Sequence, residues 1–217
     1  MTMQEHHFTT ARTSRYFTLG PSATAAREVW FVLHGYGQLA GRFLRHFESL
    51  DDGTRTVIAP EGLSRFYLEG RQDRNVGASW MTREDRLTDI ADYVRYLDAL
   101  YGEVMGGRRD GAGVTVLGFS QGTATAARWL AAGAARAERL ILYGGEVPPD
   151  LDFAAARERW GRTELILVAG SRDTYITPKI LARDEDRLRT HGIAYRIERF
   201  EGGHEVVPDV LQRLQRT

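Results

Sequence analysis

The 217-residue chain is predicted to fold as an α/β protein, a mostly parallel central sheet with helices on both faces. Three observations carry that prediction. Short apolar runs of strand type alternate with segments whose apolar residues recur at helical spacing, the order that βαβ units produce. One such run, Val114-Thr-Val-Leu-Gly-Phe119, stops in a Gly118-x-Ser120-x-Gly122 turn and opens directly into a small-residue helix, Thr123–Leu130. A length of 217 residues, with 42% hydrophobic and 27% charged side chains, suits one full core under a solvated surface, so residues 1–217 are read as a single domain.

Taken in order, residues 6–20 read as a leading hairpin or strand pair, and Val29–Leu33 as a short apolar strand running into His34-Gly-Tyr-Gly37. A helical stretch near 40–50 precedes strand Thr56–Ala59, closed by Pro60-Glu-Gly62. The interval 60–82 shows no periodicity and reads as a long loop carrying Phe66, Tyr67 and Trp80; loops of that length in compact domains are commonly functional. Thr82-x-x-Asp85 resembles a capping box ahead of a helix whose apolar stripe is Leu87, Ile90, Ala91, Val94, Leu97 and Tyr101. Beyond the elbow helix come strand Arg139–Tyr143, a helix near 151–160 and strand Thr163–Ala169. A helix then opens at Thr177-Pro178 and ends near Gly192, followed by strand Ala194–Phe200.

Charge excludes some partners. The 29 basic and 29 acidic residues balance, which leaves no electrostatic footprint for nucleic acid or an anionic membrane. The absence of cysteine removes a disulfide scaffold, a thiol nucleophile and thiolate metal sites. His6, His7, His46 and His191 lack ligand spacing, so no metal is expected, and the serine chemistry read below calls for no organic cofactor. The N-terminal Met1-Thr-Met-Gln-Glu-His-His7 lacks the apolar core of a signal peptide, and no stretch reaches the ~20 apolar residues of a membrane span. A cytoplasmic protein without membrane insertion, monomer or homodimer, is the expectation.

The turn at 118–122 has the form of a nucleophile elbow, in which a strand-to-helix turn lifts one serine hydroxyl above a sheet. Serine is a weak nucleophile at its own pKa and needs a base and a group that orients the base. In α/β-hydrolases these follow in the order Asp or Glu, then His, on loops after later strands. Asp173 follows strand 163–169 in the turn Gly170-Ser-Arg-Asp173, and His204 follows strand 194–200 in Glu201-Gly-Gly-His204. Ser120, Asp173 and His204 are therefore the candidate triad. Two backbone amides should bind the oxygen that becomes negative during attack: that of Gln121, after the serine, and that of Tyr36 in the glycine-flanked loop. His34, just before the first glycine of that loop, is expected to hold the loop by hydrogen bonds and not to act in the chemistry.

Leu-His-Gly-Tyr-Gly37, Gly-Phe-Ser-Gln-Gly122, Gly170-Ser-Arg-Asp173 with Ile176-Thr-Pro178, and Gly202-Gly-His204 together resemble the phospholipase/carboxylesterase family of small α/β-hydrolases. That family includes acyl-protein thioesterases and bacterial carboxylesterases. The resemblance covers nearly the whole chain and implies the same roles for Ser120, Asp173, His204, Tyr36 and Gln121. It also implies that Trp80 and Met81, in Ala78-Ser-Trp-Met81, border the substrate pocket. Two positions depart from the family pattern: Gln38 stands where Asp is usual, and Met81 where a Phe-Asp pair is common.

The implied reaction is cleavage of a small-molecule carboxylic ester or thioester through an acyl-enzyme. A serine peptidase or amidase of the same fold, and a non-catalytic ligand-binding protein, are the alternatives. The interval from Gly144 to Arg162 is too short for a substantial cap domain, so the site should be open.

Overall fold

The computed structural model describes residues 2–68, 75–107 and 113–215. Among them seven strands form one sheet: β1 (Tyr16–Leu19), β2 (Glu28–Leu33), β3 (Arg55–Pro60), β6 (Gly113–Phe119), β7 (Arg139–Tyr143), β8 (Glu164–Gly170) and β9 (Arg196–Phe200). Strands β4 (Ser64–Tyr67) and β5 (Val76–Ser79) pair separately as an antiparallel hairpin. The sheet order is β1-β3-β2-β6-β7-β8-β9, and every pairing is parallel except that of β1 with β3. The mostly parallel sheet predicted from the alternation of patterns is thus present, with seven strands among the described residues.

Each central strand sends alternate side chains to opposite faces, and both faces are apolar because both are covered. Val29, Phe31, Val116, Leu140 and Leu167 meet a layer built from α2 (Arg86–Met105), α3 (Gln121–Ala132), α4 (Phe153–Arg159) and α5 (Pro178–Thr190). Trp30, Val32, Leu117, Ile141 and Ile166 meet the other layer. That layer holds α1 (Ala40–Phe43), its 3-10 continuation Leu44–Leu50, and α6 (Pro208–Gln215). Parallel strands put all their C-terminal ends on one edge, and the loops after β2, β6, β8 and β9 converge there.

The opposite, N-terminal edge is closed by charge. Glu28 receives Arg55 at 2.6 Å and Arg139 at 2.8 Å, and both guanidinium groups lie over the Trp30 ring. Arg139 also donates to the carbonyl of Leu214 at 2.6 Å, tying α6 to the sheet.

Three local expectations are corrected. Residues 2–15 form no strand; His6–Ser14 is exposed throughout, with no apolar face to bury, so the edge beside β3 takes one strand instead of a hairpin. Within 60–82, two strands replace the expected structureless loop, although 69–74 lie outside the described residues. The capping box does not form. Asp85 takes a left-handed φ of 45° and makes no side-chain cap, while Asp89 accepts the Thr82 amide at 3.0 Å. At Thr177, by contrast, the hydroxyl caps α5 with Pro178 in its first turn. Helix α6 went unread; Pro208 at its start and Val210, Leu211 and Leu214 on one face are the signals that mark it.

Candidate active site

Ser120 sits between β6 and α3 with φ 54° and ψ −116°, a region that costs a residue with a side chain on the order of 1–3 kcal/mol. The surroundings hold it there. Its amide donates to the Tyr143 carbonyl on β7 at 3.0 Å, and its own carbonyl accepts from the Thr123 amide at 3.0 Å and the Thr123 hydroxyl at 2.7 Å. The two elbow glycines are demanded by contact: a Cβ on Gly118 would stand 2.1 Å from the Gly122 carbonyl oxygen, and one on Gly122 would stand 2.2 Å from that of Leu33.

The three residues expected to work together meet in space. His204 Nε2 lies 3.0 Å from Ser120 Oγ, and His204 Nδ1 lies 2.8 Å from Asp173 Oδ2. A carboxylate only accepts, so Nδ1 carries the hydrogen and Nε2 presents a lone pair to the serine hydroxyl. The second Asp173 oxygen accepts the amides of Tyr175 at 2.8 Å and Ile176 at 3.0 Å. Burial pushes this carboxyl up, yet the Ile176 amide, the His204 ring and the Tyr175 amide outweigh it and hold it below the usual aspartate range. The imidazole packs against Phe119 at 5.0 Å and Tyr175 at 4.6 Å between ring centres. Nearby carboxylates are otherwise engaged: Glu201 is bonded to Ser171, and Asp184 on α5 accepts the Val147 amide at 2.8 Å.

The loop after β2 is built around His34, which is fully buried. Gly62 donates its amide to His34 Nε2 at 2.9 Å, which leaves Nδ1–H to donate to the Gly35 carbonyl at 2.8 Å. Burial lowers the His34 pKa, against the opposing pull of the Gly35 carbonyl and Glu61. Gln38 accepts the Gly35 amide at 2.8 Å through its side chain, so the departure from Asp at this position preserves a clamp on the loop. The β4–β5 hairpin backs the loop from the other side, with Gly37 donating to Ala78 at 2.9 Å and Ala78 donating to Gln38 at 3.2 Å.

Among the described residues, the amides of Gly35, Gly37 and Gln38 are thus used internally, whereas those of Tyr36 and Gln121 have no protein acceptor. Gln121 opens α3, where the first amides of a helix are unpaired by construction. Its side chain is clamped to the end of the hairpin, accepting the Trp80 amide at 3.1 Å and donating to the Met81 carbonyl at 2.9 Å. Ser79, which bonds both Gln121 and Met81, was not singled out from the sequence.

Trp80 lies elsewhere than the pocket rim. It is 1% exposed, and its indole N–H donates to the His34 carbonyl at 2.8 Å beneath the loop. An indole has one donor, and burial obliges it to find an acceptor. Met81 is half-buried, with its sulfur 3.7 Å from an Arg128 nitrogen. Beside Ser120 and His204 a groove of 310 Å³ runs along α3, walled by Arg128, Glu146, Pro148 and Tyr175. Arg128 and Tyr175 were not expected there. Arg128 is the single charge in the run Gln121–Ala132, and that isolation was a readable signal.

One group of possible metal ligands occurs among the described residues, Glu5, His7 and Asp85, all exposed. No helix among them is long and apolar enough to cross a membrane.

A mostly parallel sheet carrying a serine elbow after β6, with an aspartate and a histidine after β8 and β9, defines an α/β-hydrolase fold without a large cap. The profile of the Phospholipase/Carboxylesterase family matches residues 17–217, and the chain belongs to that family. Among solved structures it is similar to esterase PE8, at 19% identity and a TM-score of 0.71, with 94% of this chain and 97% of that one covered. It is also similar to Zea mays acyl-protein thioesterase 2, at 18% identity, TM-score 0.69 and the same coverages. A phospholipase/carboxylesterase from Dyadobacter fermentans matches at 15% identity and TM-score 0.65, over 96% of this chain and 98% of that one. No curated protein sequence matches the chain significantly.

Proposed function

We propose that the chain is a carboxylic ester hydrolase that cleaves esters or thioesters through a Ser120–His204–Asp173 triad, without metal or organic cofactor. The observation that carries this reading is the continuous hydrogen-bonded series Ser120–His204–Asp173, at 3.0 and 2.8 Å, beside two amides that lack an acceptor.

In this mechanism His204 Nε2 takes the serine proton as Oγ attacks the carbonyl carbon. The carbonyl oxygen gains the negative charge and is bound by the Tyr36 and Gln121 amides, each donor being worth about 3 kcal/mol in the transition state. The imidazolium then gives its proton to the departing alcohol or thiol, leaving acyl-Ser120. Water, deprotonated by the same nitrogen, releases the acid. Asp173, whose carboxyl is held below its usual range, stays ionised and stabilises the imidazolium at each stage. Met81, whose sulfur lies 3.7 Å from an Arg128 nitrogen, is assigned to a place behind the groove wall, and Trp80 to support of the oxyanion loop. The names of the similar esterase and thioesterase structures agree with ester or thioester substrates.

The test is covalent labelling with a fluorophosphonate together with hydrolysis of chromogenic esters. Labelling of Ser120, lost in Ser120→Ala along with hydrolysis, is the expected result. Labelling at another serine, or none in folded protein, would overturn the assignment.

A further inference from the structure

The groove beside Ser120 has a cationic end. Arg128 lines it two helical turns beyond the serine and is 8% exposed, yet its donors are poorly used. One terminal nitrogen bonds Asp150 at 2.6 Å, the other faces the Met81 thioether at 3.7 Å, and Nε makes no hydrogen bond although the Tyr93 hydroxyl lies beside the guanidinium. Asp150 does not neutralise it fully, because the same carboxylate also receives Arg86 at 2.8 Å. Across the groove, Glu146 is taken by Arg183 at 2.6 Å, and Asp184 is shared by Arg183 and Arg187. Four arginines and three carboxylates thus stand at this wall, while the carboxylate of Asp173, bonded to His204, lies at the serine end of the groove.

Buried guanidinium donors without acceptors are costly unless something completes them, and the chemical partner of a guanidinium is a carboxylate. Eight residues of helix separate Ser120 from Arg128, about 12 Å along the axis, and an arginine side chain leans back toward the helix N-terminus. The end of Arg128 therefore lies within one short organic chain of the serine hydroxyl. We infer that Arg128 is a specificity-determining residue that binds a carboxylate carried by the substrate, so that the preferred substrates are anionic esters and not neutral ones. This rests on Ser120 being the esterolytic nucleophile.

The test compares kcat/KM for matched pairs. On the acyl side, 4-nitrophenyl monoesters of glutaric, adipic and suberic acids are set against the neutral pentanoate, hexanoate and octanoate. On the alcohol side, the butyrate of 4-hydroxybenzoate is set against that of 4-hydroxybenzamide. A preference of roughly tenfold or more for the carboxylate-bearing member is expected in one arm, carried mainly by KM, and that arm tells which side of the ester Arg128 reads. Arg128→Met should abolish the preference, bringing kcat/KM for the anionic member down to that of its neutral partner, and Asp150→Asn, which frees the guanidinium, should raise it.

Equal rates within both pairs in the native protein, or a preference that survives Arg128→Met, would overturn the inference. If Arg128→Met does not fold, an Asp150→Asn protein with unchanged preference would overturn it equally. Absence of all hydrolysis would count against the esterase reading instead. Binding of the same pairs to Ser120→Ala, read by calorimetry, then decides the anion preference without turnover.

Discussion

The Trp80 indole donates to the backbone carbonyl of His34 at 2.8 Å, and the two rings lie 5.0 Å apart, so a residue 46 positions downstream fixes the start of the loop after β2. Trp80→Phe removes the donor and leaves a small cavity where the second indole ring packed. It should lower kcat more than it raises KM on a neutral ester, and cost about 1–3 kcal/mol of stability. Denaturant titration and steady-state kinetics check both; an unchanged kcat would show that His34 and Gln38 hold the loop unaided.

Asp173→Asn should leave the fold in place and reduce kcat on the order of 10⁴-fold, as for the equivalent change in serine proteases. An amide at this position can present its NH2 to His204 and favour the wrong tautomer. Glu201→Gln, which disturbs only exposed contacts with Ser171 and Arg172, should leave turnover close to normal. The reverse pattern would move the acid from Asp173 to Glu201.

His34 makes stability depend on pH. Burial lowers its pKa from the ordinary 6.5, against the opposing pull of the Gly35 carbonyl and Glu61. The unfolded chain therefore binds a proton that the folded one refuses. The contribution is present above pH 6.5 and lost as pH falls through 6.5 toward the lower folded value. Asp173, with its lowered pKa, loses its contribution only below the ordinary 3.8. Asp184, raised by burial, acts with the opposite sign just above 3.8. Unfolding free energy of the native protein should thus decline from pH 7 to 5 more steeply than that of His34→Gln, and parallel curves would contradict this.

Gly122→Ala tests the elbow sterically. The added methyl would meet the Leu33 carbonyl oxygen at 2.2 Å, a backbone atom that cannot turn aside. Destabilisation of about 3 kcal/mol and loss of esterase activity are expected, with thermal melting as the measure. Gly203→Ala, where a Cβ meets nothing within 4 Å, is the matched control and should melt near the native temperature.

Between β7 and β8 the chain contains only Gly144–Asp152, α4 and a four-residue turn, so no cap covers Ser120 from that side. Hydrolysis of soluble short-chain esters should therefore rise smoothly with concentration. A sharp increase only beyond the solubility limit would reveal an interfacial lid, most directly in the 60–82 segment.

Much of the site could be read in the chain because each part is announced locally. Ser120, Asp173 and His204 each follow an apolar strand, and parallel strands deliver such ends to one edge whatever the side-chain details. The hairpin in 60–82 had no such signal. Val-Gly-Ala-Ser79 offers little β propensity, and its strand exists because Gly77 and Ala78 fit against the loop at Gly37 and Gln38.

By itself, then, the order of residues determined the sheet, the elbow and the sequence of the three polar side chains, since periodicity and turn chemistry act within a dozen residues. Only the tertiary structure decided that Trp80 lies under the loop instead of at the groove, and that Gln121 clamps the hairpin. It also decided that Arg128 stands at the far end of the groove, sharing Asp150 with Arg86. Those are contacts between segments distant in the chain, and their energies depend on burial and on which donors find acceptors, quantities that no local pattern encodes.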